Sequence, residues 1–72
     1  MVELSQRGVI IEAHPNAMFT VRLGDGRLVT VPLSGKLRAL HVRPHAGDTV
    51  MVELSRFDRS RGRIVRRDPA PR

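Results

Sequence analysis

Seventy-two residues are enough for one domain only, and a chain this short buries only about 60% of its unfolded surface. Cysteine is absent, which excludes a disulfide framework and a thiolate metal site. The 13 basic residues outnumber the 7 acidic ones for a net charge of +6, an excess that favours a polyanionic partner.

The first half of the chain has the pattern of short β-strands joined by tight turns. Gly8–Ala13 is an apolar run rich in β-branched residues, and Pro15-Asn16 then supplies turn chemistry. In Met18–Leu23 the side chains of Phe19, Val21 and Leu23 fall on one face, and Gly24-Asp25-Gly26 is typical of a hairpin.

A third strand and the only helical candidate follow. The strand is predicted over Arg27–Leu33, with Pro32 at a sheet edge or a strand end because proline cannot donate to a ladder. Ser34 is a candidate N-cap for a short helix over Gly35–Val42, which we expect Pro44 to end.

Two more strands complete the pattern. Gly47-Asp48 makes a turn, Thr49–Leu54 alternates again, and Arg63–Arg67 is a final short strand after a polar connection. We therefore predict one domain over residues 1–67 and a flexible, proline-rich tail over residues 68–72.

The order β-β-β-α-β-β is the connectivity of an all-β, five-stranded OB-fold barrel with a short helix between strands 3 and 4. A closed barrel also removes exposed sheet edges. The strand faces predict a core of Val9, Ile11, Phe19, Val21, Val29, Val50, Val52 and Ile64.

The sequence contains no complete motif for catalysis or for metal binding. His41 and His45 have a spacing suited to a helical metal site, but Pro44 separates them and no third ligand is near in sequence. Ser34 precedes Lys36 by two residues, yet a nucleophile also needs a base, an orienting group and a pocket. We expect no enzyme activity, no metal and no cofactor.

The arginines instead favour RNA. Twelve of the 13 basic residues are arginine, and residues 55–72 hold seven of them against two aspartates. The guanidinium fork matches phosphate and stacks on bases. Because Phe19 and Phe57 are the only aromatic residues, the composition favours docking on folded RNA over stacking along single strands. An RNA chaperone or antiterminator of the cold-shock type and a purely protein-binding module remain as alternatives.

The sequence resembles bacterial translation initiation factor one over about residues 7–67. The resemblance rests on Pro15-Asn16-Ala17-Met18-Phe19, Ser34-Gly35-Lys36-Leu37-Arg38, Val42-Arg43, Phe57-Asp58 and Arg61-Gly62-Arg63-Ile64-Val65, with Gly47-Asp48 and Val52-Glu53-Leu54 between them. These motifs occur in the family's order and spacing.

The resemblance implies a monomeric OB-fold protein of the cytoplasm that binds the aminoacyl-tRNA site of the small ribosomal subunit. There it would contact decoding-region rRNA and a neighbouring ribosomal protein, act with the other initiation factors, exclude elongator tRNA and support start-codon selection. A cytoplasmic location also agrees with the absence of a long apolar run and of an apolar N-terminal signal.

The resemblance and the charge pattern together predict RNA contacts at ten residues: Phe19, Arg27, Lys36, Arg38, His41, Arg43, Phe57, Arg63, Arg66 and Arg67. Phe19 is thus assigned to the core by its strand pattern and to the binding face by the resemblance. The chain departs from the family in having His41 where a tyrosine is usual and Arg66 where an aromatic residue is usual.

Overall fold

The computed structural model describes residues 4–55, 57 and 61–68. These residues form the predicted order of five strands and one helix: β1 (Leu4–Ala13), β2 (Met18–Leu23), β3 (Leu28–Pro32), α1 (Gly35–Ala39), β4 (Thr49–Leu54) and β5 (Gly62–Asp68). The bounds of β2 and β4 are those predicted, whereas β1 begins earlier and α1 ends earlier than expected. The polar connection before β5 lies mostly outside the described residues, as does the predicted tail beyond Asp68.

The five strands form one antiparallel sheet in the order β3-β2-β1-β4-β5. The sheet curls until its two outer strands meet, where Leu33 forms a parallel bridge with Ile64 and the Ser34 backbone N donates to the Ile64 carbonyl at 2.8 Å. Pro32 is the last residue of the outer strand β3, as its missing N–H predicts. The predicted five-stranded barrel is therefore confirmed.

β1 is long because two neighbours share it. Its first part pairs with β4 from Leu4 to Val9, and its second part pairs with β2 from Gly8 to Ala13. The residues before Gly8 are mostly polar, so the hydrophobic pattern contains no sign of this extension.

The buried core consists of Ile10, Phe19, Val21, Leu23, Val29, Val31, Leu37, Val50, Val52, Leu54 and Ile64. The prediction that Val9 and Ile11 lie inside is wrong. They are 40% and 41% exposed, whereas Ile10 between them is 1% exposed. The register shifts between Ile10 and Glu12, so Ile11 is the extra residue of a β-bulge. An unbroken apolar run cannot reveal which of its residues face inward.

The helix α1 is capped at both ends by its own sequence. The Ser34 Oγ accepts from the Leu37 backbone N at 3.3 Å, which confirms the predicted N-cap. At the other end His41 has a positive φ of 58°, its backbone N donates to Arg38 O, and the Val42 backbone N donates to Leu37 O. This pair of bonds is a Schellman motif. The helix therefore ends at Ala39, before Pro44 could end it.

Candidate nucleic-acid interface

A groove opens at the end of the barrel where β1 and β3 finish and β2 and β4 begin. Its volume is about 460 Å³, and it lies between the β1–β2 connection and the segment that follows α1. We call it the basic groove and define it by its lining residues: Ala13, His14, Pro15, Ala17, Phe19, Leu33, Arg38, His41, Val42, Arg43, Pro44 and His45. Apolar groups beside basic ones suit a ligand that has both a flat ring and a phosphate.

The β1–β2 connection forms one wall of the groove. The His14 backbone N donates to Met18 O at 2.9 Å, and Ala17, with a φ of 65°, donates from its backbone N to His14 O at 3.2 Å. The His14 Nε2 also lies 2.8 Å from the Thr20 Oγ1, which is 3.1 Å from the Thr30 Oγ1. These bonds fix the orientation of the imidazole at the groove.

The segment after α1 forms the opposite wall. The Schellman motif turns the chain at His41, so that Arg38 on the helix and Arg43 beyond it both line the groove. Val42 packs against the hydrophobic core and holds this segment on the barrel. Arg38, His41 and Arg43 are all exposed, so their charged or polar ends reach solvent.

The turn before β4 sets the position of His45. The Asp48 Oδ2 accepts from the His45 backbone N at 2.8 Å, and the Asp48 backbone N donates to His45 O at 3.0 Å. Gly47 completes the turn with a φ of 95°, a conformation that glycine adopts without strain. The same Oδ2 lies 3.3 Å from the Arg67 Nε, which links the groove wall to the end of β5.

The groove is strongly biased toward positive charge. Two arginines and three histidines line it, and among the described residues no carboxylate does. Within that same set no group of three or more His, Asp or Glu side chains is arranged to hold a metal ion. The arrangement therefore suits a phosphate-bearing ligand better than a cation.

A family model described as translation initiation factor 1A / IF-1 matches residues 2–70, nearly the whole chain. The chain belongs to this family of translation initiation factors. The resemblance inferred from the sequence motifs is thus confirmed, and membership of an initiation factor family implies association with the ribosome.

Two solved structures illustrate the relationship. The chain is 35% identical to translation initiation factor one from the Wolbachia endosymbiont, strain TRS, of Brugia malayi, whose solution structure it matches with a TM-score of 0.76. That match covers 93% of this chain and 79% of the other and confirms the OB fold. The chain is also 29% identical to YjeQ from Thermotoga maritima, with a TM-score of 0.73, over 90% of this chain but 23% of that longer one.

Four of the ten residues predicted to contact RNA line the basic groove of this initiation factor family member: Phe19, Arg38, His41 and Arg43. Phe19 is 7% exposed, so it belongs to the core, as its strand pattern predicts, and it is also one of the residues that line the groove. Both assignments of Phe19 are therefore compatible with the structure.

Three more predicted residues do not line the groove and lie on α1 and β5. Lys36 is exposed on α1, and Arg66 is exposed on β5, where its Cα partner on β4 is Met51. Arg67, also near the end of β5, is held by the ion pair with Asp48.

The remaining three predicted residues do not line the groove and lie after the β2–β3 hairpin, in the connection after β4 and near the start of β5. Arg27 follows the β2–β3 hairpin, where Gly26 has a φ of 89° and the Asp25 Oδ1 accepts from the Arg27 backbone N. Phe57 is 93% exposed in the connection after β4. Arg63 donates from its Nη2 to the Glu53 Oε1 at 3.2 Å on the neighbouring strand.

The sequence pattern missed two groove residues, His14 and His45. Both stand at turns that were predicted, one after the first strand and one before the fourth. When two strands pair in antiparallel fashion, the end of one lies beside the start of the other. A predicted pairing of the first strand with the fourth would therefore have indicated that His14 and His45 lie at the same end of the barrel.

The described residues include no helix that is long and apolar enough to cross a bilayer.

Proposed function

We propose that this initiation factor binds the aminoacyl-tRNA site of the small ribosomal subunit through contacts with decoding-region rRNA. It blocks elongator tRNA there and supports start-codon selection together with the other initiation factors. The single observation that carries the proposal is the basic groove, in which two arginines stand beside apolar side chains at one end of an initiation factor barrel.

The groove has the chemistry for folded RNA. Arg38 and Arg43 supply guanidinium groups for phosphates, and the edge of Phe19 with Pro44 supplies an apolar floor for a base that leaves its stack. Since Phe19 is mostly buried, the described surface offers little for stacking successive bases. That favours a shaped rRNA site over the continuous single strands that a cold-shock type chaperone coats.

The other predicted contacts lie outside the groove. Lys36 on α1 and Arg66 and Arg67 on β5 are exposed cations, and Arg67 is joined to the turn that carries His45 by its ion pair with Asp48. Arg27 and Arg63 are exposed as well, and Phe57 exposes almost its whole ring. A site enclosed by RNA on more than one side would engage these residues in addition to the groove.

The factor acts by occupying the aminoacyl-tRNA site, and this action requires no catalysis. Ser34, the one hydroxyl that suggested a nucleophile, is buried and caps α1. The factor acts as a monomer in the cytoplasm, reaches the subunit in its free form, and contacts a neighbouring ribosomal protein once bound.

Chemical footprinting on isolated small subunits tests the proposal. The wild-type factor should protect decoding-site nucleotides at moderate salt and compete with elongator tRNA for the aminoacyl-tRNA site. A double variant Arg38→Glu/Arg43→Glu should lose this protection, whereas Arg22→Glu, on the outer face of β2, should largely keep it.

Two outcomes would contradict the proposal. Wild-type protein that gives no protection at the decoding site would refute the location. Equal affinity for unrelated single-stranded RNA, with strand-melting activity, would favour an RNA chaperone.

A further inference from the structure

A second groove adjoins the basic groove and has a different chemistry. Its volume is about 600 Å³, and its lining residues are His14, Pro15, Asn16, Met18, Thr20 and Thr30. Since His14 and Pro15 line the basic groove as well, they form the boundary between the two. Among the described residues, no arginine, lysine or carboxylate lines this second groove, whose polar groups are hydroxyl, amide and imidazole. We call it the hydroxyl groove.

The sheet and the β1–β2 connection hold two threonine hydroxyls in this groove. Thr20 on β2 and Thr30 on β3 are paired across the two strands, and both alternate with buried residues, so both face outward. The Thr20 Oγ1 lies 3.1 Å from the Thr30 Oγ1 and 2.8 Å from the His14 Nε2. The three groups therefore form a hydrogen-bonded chain that ends at Thr30, which is exposed.

The end of this chain is suited to a ligand that carries a hydroxyl group. If the imidazole donates to Thr20, then Thr20 donates to Thr30, and the Thr30 hydroxyl proton is left for a ligand. If the imidazole accepts, the chain runs the other way and Thr30 offers only lone pairs. A ligand hydroxyl both donates and accepts, so it satisfies either direction, whereas an ionised phosphate oxygen only accepts.

We propose that the Thr30 hydroxyl binds a 2′-hydroxyl of the RNA whose phosphates lie in the basic groove. Each ribose of an RNA chain is bonded to the neighbouring phosphates, so a backbone held by Arg38 and Arg43 brings its sugars to the boundary between the grooves. The 2′-hydroxyl is the group by which a protein distinguishes RNA from DNA. The inference rests on the proposed function and adds to it a residue that selects a ribose backbone.

The charges around the hydroxyl groove favour a sugar over a phosphate. Glu12 on β1 is exposed, and it is the Cα partner of Thr20 on the side away from Thr30. Its carboxylate repels a phosphate placed beside Thr20 and leaves a neutral hydroxyl unaffected. Arg22, the next outward-facing residue of β2, does not line the groove. The phosphates are thereby directed to the basic groove and the sugar to Thr30.

Chemical probing of small subunits tests the proposal on the intact ligand. Base-modifying reagents measure occupancy of the decoding site, and a reagent that acylates 2′-hydroxyls measures the accessibility of each ribose. Saturating wild-type factor should protect decoding-site bases and at least one ribose beside them. Thr30→Val keeps the branched side chain and removes the hydroxyl, so at saturation it should protect the same bases while that ribose becomes reactive again.

A second measurement gives the size of the effect. Fluorescence anisotropy measures the dissociation constants of labelled decoding-region RNA hairpins, each with a single 2′-deoxy nucleotide. One such substitution should weaken wild-type binding about two- to tenfold, the range for the loss of one hydrogen bond. Thr30→Val should bind the unmodified hairpin more weakly by the same factor and should not respond to that substitution. If the wild type binds subunits but not the isolated hairpin, the probing of subunits decides.

Thr49→Val is the matched control, because it makes the same chemical change elsewhere on the sheet. Thr49 is the first residue of β4, its Cα partner on β1 is Val9, and it lines neither the basic groove nor the hydroxyl groove. It should protect bases and riboses as the wild type does and should keep the response to the 2′-deoxy substitution. Circular dichroism establishes that both variants are folded.

Failure of the inference can be told apart from failure of the proposed function. If Thr30→Val protects every ribose that the wild type protects, the inference is wrong and the proposed function stands. The same conclusion follows if the wild type protects decoding-site bases but no ribose. Wild-type protein that protects no decoding-site base would overturn both.

Discussion

The Arg67 Nε lies 3.3 Å from the Asp48 Oδ2, and this oxygen also accepts the His45 backbone N–H at 2.8 Å. One carboxylate therefore joins the last strand to the turn that carries a groove histidine. Its side chain is 18% exposed, against 38% for that of Arg67, so the pair is partly shielded from water.

Removing this carboxylate should destabilise the protein more than removing the arginine. Asp48→Ala loses the ion pair and leaves the His45 N–H without its partner, at a cost of about 1–3 kcal/mol in the free energy of unfolding. Arg67→Gln loses only the ion pair and should cost less than about 1 kcal/mol. Urea denaturation measures both, with Asp48→Asn as the variant that keeps an acceptor. Equal losses for Asp48→Ala and Arg67→Gln would show that the turn bond contributes nothing.

Adjacent isoleucines in β1 should respond very differently to truncation. Ile10 is 1% exposed and Ile11 is 41% exposed, because adjacent side chains of a strand point to opposite faces of the sheet. Ile10→Ala should lower the free energy of unfolding by about 2–5 kcal/mol, and Ile11→Ala by less than about 1 kcal/mol. Thermal or urea unfolding measures both changes. If Ile11→Ala lowered the free energy of unfolding more than Ile10→Ala did, the side chain of Ile11 and not that of Ile10 would face the core.

Two glycines provide a second matched pair. A Cβ on Gly8 would lie 2.5 Å from the Val21 Cγ1 and 2.8 Å from the Arg22 carbonyl oxygen, whereas one on Gly24 meets no heavy atom within 4 Å. Gly8→Ala should therefore destabilise the barrel by about 1–3 kcal/mol. Gly24→Ala should stay within about 0.5 kcal/mol of the wild type. Comparable unfolding midpoints for the two variants would contradict the close approach of β1 and β2.

Replacing His41 with glycine should raise the stability of the protein and weaken its binding to RNA. Its φ of 58° favours glycine, so His41→Gly should raise the free energy of unfolding by about 1 kcal/mol while removing a groove side chain. His41→Ala removes the same imidazole but keeps a Cβ, and should bind RNA equally weakly without the gain in stability. Full RNA affinity in both variants would exclude His41 from the interface.

Charge reversal in the groove should weaken binding to small subunits. Arg38→Glu replaces a groove cation with an anion and should reduce the affinity by at least about tenfold, with a shallower dependence on salt. Arg22→Glu makes the same change in net charge on the outer face of β2. Co-sedimentation at several salt concentrations compares them, and equal losses would mean that net charge matters more than the groove.

Most of the fold could be predicted from the sequence because alternation and turn residues determine β2, β3 and β4 locally. The phase of β1 could not be predicted, since Val9, Ile10 and Ile11 are all apolar and only the pairing with β2 selects which one is buried. The end of α1 was missed because histidine takes the left-handed position that usually signals glycine.

The site was predictable to the extent that motifs marked it. Arg38 and Arg43 were found from the family motifs, and the structure adds that they share a groove with Phe19. His14 and His45 carried no motif. They lie close together because the sheet order makes β1 and β4 neighbours, although these strands are distant in the sequence.

The bridge between Leu33 and Ile64 has a consequence for biosynthesis. It joins the middle of the chain to β5, the last of the five strands in chain order, and β5 also supplies the whole outer partner of β4. Neither contact can form until residues 62–68 have been synthesised, and such long-range pairing is slow compared with local folding. During synthesis the outer side of β4 should therefore stay unpaired until β5 leaves the ribosome and docks on it.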